Sequence, residues 1–175
     1  VVTGTVNAAG NLVTATSAGD ISGNGLITAA TADLNAVTGI TANLSAATIT
    51  ADSTNGNISI DNAIAASVNS LTTGKGNIVF NNTANASFGT VSTTDGSVDL
   101  EAISGDLTVA TSVTAGGSNN LSLTTTTTGN IVLTGTVNAA GNLVTATSAG
   151  TISGPGLITA ATADLNAVTG ITANL

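Results

Sequence analysis

GTVNAAGNLVTATSAGDISGNGLITAATADLNAVTGITANL, residues 4–44, is the stretch on which the reading turns. The same letters come back as residues 135–175, displaced by 131 positions, with two changes: Asp20 becomes Thr151 and Asn24 becomes Pro155. Self-similarity at a fixed period marks repeat architectures, in which each unit needs a neighbour to cover its apolar face. The expectation is that residues 1–175 are one continuous segment of a longer tandem array, entered and left in mid-repeat.

Composition narrows the class. Apolar residues make up 42% of the chain, enough for a sizeable core, while charged residues reach only 6% and aromatics 1%. Val, Ile and Thr suit a pleated, half-buried surface, so the balance leans to all-β. The net charge of −8 sets nine acids against a single cation, Lys75, with no His. Such a chain has almost nothing with which to displace counterions from phosphate, which excludes nucleic acid as a partner. Anionic membrane surfaces are disfavoured for the same reason. No run has the length of a membrane-spanning helix, so no membrane insertion is expected. With no Cys there is neither a disulfide framework nor a thiolate metal site.

A shorter period lies inside the long one. No apolar face recurs at helical spacing, whereas pieces such as GNISID (56–61), GSVDLE (96–101) and GNIVLT (129–134) alternate as strands do. Aligned, they suggest a unit of about 22 residues, in the range of solenoid coils. A first corner falls at Leu12, Leu34, Ile58, Ile78, Val98, Leu121, Leu143 and Leu165. A second falls at Ile21, Leu44, Val68, Phe88, Leu107, Ile131, Ile152 and Leu175. A third, looser one takes Ile27, Ile49, Leu71, Val91, Val113, Val137 and Ile158. The expected fold is an all-β, right-handed parallel β-helix of about eight coils with three strands per coil, its hand following the general preference of parallel crossovers.

The residue before each first corner is short and polar: Asn11, Asp33, Asn57, Asn77, Ser97, Asn120, Asn142 and Asp164. Such side chains can bond local backbone or stack on their equivalents one coil away, so these eight are expected to form a corner ladder. Both differences between the long repeats fit this scheme. Asp20 to Thr151 exchanges one short polar corner residue for another. Asn24 to Pro155 falls between glycines, where a turn accepts proline and a central strand would not.

GNLVTATSAGDISGNGLITA, GNISIDN and GSVDLEAISGDLTVA resemble the repeat region of filamentous-haemagglutinin-like proteins, the large adhesins that Gram-negative bacteria export by two-partner secretion. The likeness covers the whole chain in style but contains no diagnostic motif. It implies a secreted or cell-surface fibre with a β-helical shaft, whose partners would be further repeats of itself and host-cell, surface or matrix glycans. The near-identity of the long repeats departs from the more diverged coils of many such proteins, which leaves room for a self-assembling filament or sheath without a ligand of its own.

Candidate chemistry is sparse. Asp99 and Glu101 alternate outward on one strand and could offer oxygens to Ca²⁺, although a solvated face is the better explanation and no metal is expected. Carbohydrate-active β-helices need a cationic base or paired carboxylates in a cleft. Lacking Arg and His, with its one Lys in a Gly-Lys-Gly turn, this chain is expected to be non-catalytic and without cofactor. An ice-matching face would need Thr at one register in successive coils. In the alignment of about 22 residues Thr14 is followed by Ala36, Ile60 and Phe80, which breaks that array. Sequons at Asn43, Asn57, Asn81, Asn85 and Asn120 are what a chain so rich in Asn, Ser and Thr generates by chance.

Overall fold

The computed structural model describes residues 1–175 as strands, turns and short connections, with no helix. The first strands are β1 (Val6–Ser17), β2 (Asp20–Ile21), β3 (Leu26–Ala36), β4 (Gly39–Ser53) and β5 (Ile58–Asn62). They are followed by β6 (Ala66–Lys75), β7 (Ile78–Asn82), β8 (Ala86–Asp95), β9 (Val98–Ser104) and β10 (Leu107–Ala115). The last five are β11 (Leu121–Thr128), β12 (Ile131–Leu133), β13 (Thr136–Ser148), β14 (Thr151–Ala167) and β15 (Gly170–Asn174). All fifteen belong to one parallel sheet that winds into a β-solenoid of about eight turns, with stacked coils about 20 residues apart.

Each complete coil has three pairing segments, for example residues 98–102, 107–109 and 112–115, separated by corners where the register shifts. On the first face Ile40, Ile58, Ile78, Val98, Leu121 and Val144 stand in one inward column. The second face stacks Ile49, Val68, Phe88, Val109 and Leu133, and the third stacks Leu71, Val91, Val113, Val137 and Ile158. These side chains are almost entirely shielded from water and belong to one continuous core. Phe80 and Phe88 meet edge to face in that core, ring centroids 5.4 Å apart, which suits the aromatic quadrupole.

The expected columns form only partially. Ile58, Ile78, Val98 and Leu121 do stack, but Leu12, Leu34 and Ile58 lie in three different rows. Leu12 pairs with Thr31 and is 60% exposed, while Leu34 stands between Ala15 and Ala51 on the third face. The cause is one residue of phase. After the corner at residues 9–11 it is Val13 that turns inward, not Leu12, and a slip of one residue along a strand exchanges its two faces. The same holds in the second copy, where Val144 is buried and Leu143 is not. Successive members of the first-face column are 18 to 23 residues apart, so no uniform spacing near 22 could align them. The second expected column also divides. Val68 stacks with Phe88, whereas Leu107, Ile131 and Ile152 form a separate row above Ala66 and Ala86.

Close approach at one corner explains its glycines. A Cβ on Gly76 would meet the Gly56 carbonyl carbon at 2.5 Å, and one on Gly96 would meet the Gly76 oxygen at 1.9 Å. The φ of 137° at Gly76 also favours a residue without a side chain.

A polar ladder runs through the interior at the far end of the first face. Asn62 Oδ1 accepts from the Ala46 amide at 2.9 Å, and Asn62 Nδ2 donates to Asn82 Oδ1 at 2.8 Å. Asn82 Nδ2 in turn donates to the carbonyls of Ala84 and Asn85, at 2.7 and 2.9 Å. Two buried amides are thus satisfied by each other and by corner backbone, as a low-dielectric interior requires. Beyond Ala102, which interrupts the row, Thr125 and Ser148 resume it with hydroxyls 3.2 Å apart.

Two outcomes follow. Asn82→Ala strips partners from Asn62 and from two corner carbonyls, and should cost about 2–4 kcal/mol in urea unfolding. Leu34→Ala, at a fully buried site, should cost about 3 kcal/mol, whereas Leu165→Ala, the same letter in the partly open last coil, should cost clearly less.

Candidate functional site

The outer surface is where function would reside, and its best-defined features are two hydrogen-bonded corner rows. In the first, the Asn77 amide donates to Asn57 Oδ1 and the Ser97 amide to Asn77 Oδ1, both at 2.9 Å. The Leu143 amide donates to Asn120 Oδ1 at 3.4 Å. The structure therefore brings together Asn57, Asn77, Ser97 and Asn120. It places the other four expected ladder residues elsewhere. Asn11 bonds locally to the Ala9 carbonyl. Asp33 pairs with Thr14 and Thr50 on the third face, and Asp164 pairs with Thr145 on the first. Asn142 falls one residue out of register, because it is Val144 that stands above Leu121.

The second corner row joins Asn85 to Asp106, Asn130 and Thr151, the last three being the short polar residues before the second corner. The Asp106 amide donates to Asn85 Oδ1 at 2.9 Å. Asp106 Oδ1 accepts from the Asn130 amide at 2.8 Å and from its Nδ2 at 3.1 Å. Asn130 Oδ1 then accepts from the amide and from the hydroxyl of Thr151, each at 2.9 Å. Gly-Asp and Gly-Asn before Leu107 and Ile131 were the available signal. Asn85 was hidden because its partner column begins two residues before Phe88.

This row gives a reason for one of the two repeat differences. Thr151 meets an amide oxygen, to which a hydroxyl can donate and a carboxylate cannot. For its counterpart Asp20 the Ser22 hydroxyl, and after it the backbone amide, hold the carboxyl below the usual carboxylate range. A depressed pKa contributes stability above the unfolded value and loses it as pH falls through the lowered one. The other difference, Pro155, sits exposed within β14 between Ser153 and Leu157, where the register shifts and no ladder amide is needed.

Asp99 and Glu101 both lie on β9, facing outward in adjacent columns. Glu101 accepts a hydrogen bond from the Thr126 hydroxyl. No group of three or more His, Cys, Asp or Glu side chains is placed to hold a metal ion. A surface depression of 310 Å³ on the first face is lined mainly by Leu26, Leu44, Ala63 and Ile103, with Asp61 its single carboxylate. A second, of 440 Å³, has Asp106 as its single carboxylate.

The hydroxyl rows differ from expectation. Thr14 is followed by Asp33, Thr50, Ser70 and Thr90, not by Ala36, Ile60 and Phe80. Beside that row, Asp52, Thr72, Ser92 and Thr114 form another. The third face is thus a band of Ser and Thr interrupted by Asp33 and Asp52, with the Thr72 hydroxyl donating to Asp52 at 2.7 Å.

Comparison with protein-family models, curated proteins and solved structures gave no match. Thr151→Asp should destabilise the chain by about 1–2 kcal/mol, since it sets a carboxylate against an amide oxygen. Asp20→Thr, at a solvent-exposed site, should leave the midpoint almost unchanged. Paired thermal and urea melts check both.

Proposed function

We propose that this chain is a non-catalytic structural and adhesive segment of a large secreted or cell-surface fibre. The observation that carries the reading is the uninterrupted stack of parallel coils, built from a sequence that repeats itself almost letter for letter. Eight coils span about 38 Å at the spacing of neighbouring strands, so further repeats would give a slender shaft of any length. The resemblance to filamentous-haemagglutinin-like adhesins supports export from a Gram-negative cell. For the adhesive role, amide and carboxyl groups of Asn43, Asp61 and Asn81 line up along the first face. They offer neutral glycans a row of hydrogen-bonding groups.

A second reading keeps the shaft and drops the ligand: a self-assembling filament or sheath. The coil-on-coil pairing favours self-association, because a strand edge of this stack is satisfied only by another coil, of this chain or of a second copy.

Antibodies against the folded chain, applied to intact cells of the source organism, should decorate extended fibres outside the cell; label confined to the interior would sink the proposal. A glycan array probed with the chain separates the two readings, binding favouring the adhesive one and silence the ligand-free filament. Light scattering on the purified chain should show assemblies that grow with concentration, and a monodisperse monomer throughout would count against self-association.

A further inference from the structure

The two copies of residues 4–44 fold alike within themselves. Val6 pairs with Ile27 as Val137 pairs with Ile158, and Leu12 with Thr31 as Leu143 with Thr162. Ile21 pairs with Ile40 as Ile152 pairs with Ile171.

Against the remainder of the stack they are out of phase. Ile21 and Ile40 head the first-face column of Ile58 and Ile78, whereas Ile152 and Ile171 continue the row of Leu107 and Ile131 on the second face. Ala32 leads through Ile49 to Val68 on the second face, while its copy Ala163 stands above Val144 and Leu121 on the first. Ile27 leads to Leu44 and Asn62 at the far end of the first face, and its copy Ile158 stands above Val137 and Val113 on the third.

The displacement can be counted. From Ile21 six steps of the column reach Val144, and Ile152 falls eight residues further into a coil that Ala163 completes at nineteen. The long period therefore holds six coils and about two-fifths of a seventh. Along the axis that is about 30 Å.

We propose that the repeated segment displays its surface on a different side of the solenoid in each period, because the period is not a whole number of coils. The clearest marker is the hydrogen-bonded pair Asp33 and Asn35, which faces outward from the third face. The same pair at Asp164 and Asn166, with the same 2.9 Å bond, faces outward from the first. A partner that reads this surface meets the next copy turned by about two-fifths of a revolution. A flat, rigid surface touches only the copies on its own side. The partner that fits successive copies is a flexible, polyvalent one able to pass round the shaft, such as a long glycan chain. Recurrence over further periods rests on the tandem-array reading, in which the same side returns after about five periods, at the sixth copy. The phase itself is a property of this chain alone.

The test uses outward cysteine pairs in the 175-residue chain. S122C/T145C joins neighbours that only the shifted phase places side by side, and S70C/T90C is the control pair within the undisputed region of the stack. Both should close to a disulfide on mild oxidation, with the far-ultraviolet spectrum of the parent. Closure of the control alone overturns the proposal. As a second measurement, spin labels at Asn35 and Asn138, which share one column, give the axial rise over five coils. Labels at Asn35 and Asn166 should then read well beyond the axial distance extrapolated from that ruler. A value on the ruler's line means that the two copies share a side, and the inference fails. Neither measurement depends on whether the chain forms fibres in the cell.

Discussion

Hydrogen bonding from one coil to the next is the constraint on which the rest depends. Of 117 backbone hydrogen bonds, 92 lie within strand pairings, and every one of those pairings is between coils. A strand that bends round three corners in about 20 residues cannot pair with itself, so its amides and carbonyls are satisfied only by the turn above and the turn below. The side chains follow the same rule. An inward Ile or Val is covered by its equivalents in the adjacent coils, and each coil contributes only a handful to the core. Stability is therefore shared along the axis instead of being concentrated in a centre.

That sharing makes position along the stack matter more than local sequence. Leu34 is fully buried and Leu165 is not, although the letters around them are the same. Val6 is 38% exposed and Val137 is not exposed at all. Thr151 donates its hydroxyl to Asn130, a bond that its counterpart Asp20 could not make as a carboxylate. A repeat can be nearly perfect in sequence and still meet different physical demands in each occurrence.

The architecture was legible from the alternation and the long repeat, because both reflect what every coil must do. The register was legible over much of the stretch between the two copies, as from Ile58 to Leu121, and where a loose criterion was applied, as in the row from Leu71 to Ile158. It failed at Leu12 and Leu143, because Gly-Asn-Leu-Val offers two adjacent apolar residues and nothing local says which of them turns inward. The buried amides Asn62 and Asn82 were invisible for a similar reason. In a chain so rich in asparagine, only the neighbouring coil distinguishes an inward amide from an outward one. Of the candidate surface, the four residues between the two copies came together, and the four within the copies did not.

The direction of the inter-coil bonds has a mechanical corollary. They lie along the long axis while the covalent chain runs round it, so a pull on the two ends loads the weak bonds and spares the strong ones. Coils would peel away in succession from the tips, and each of about 20 residues would release roughly 65 Å of extended chain. Built this way, a stiff rod carries its own reserve of length: it resists small forces as a spar and gives ground to large ones as a paid-out line.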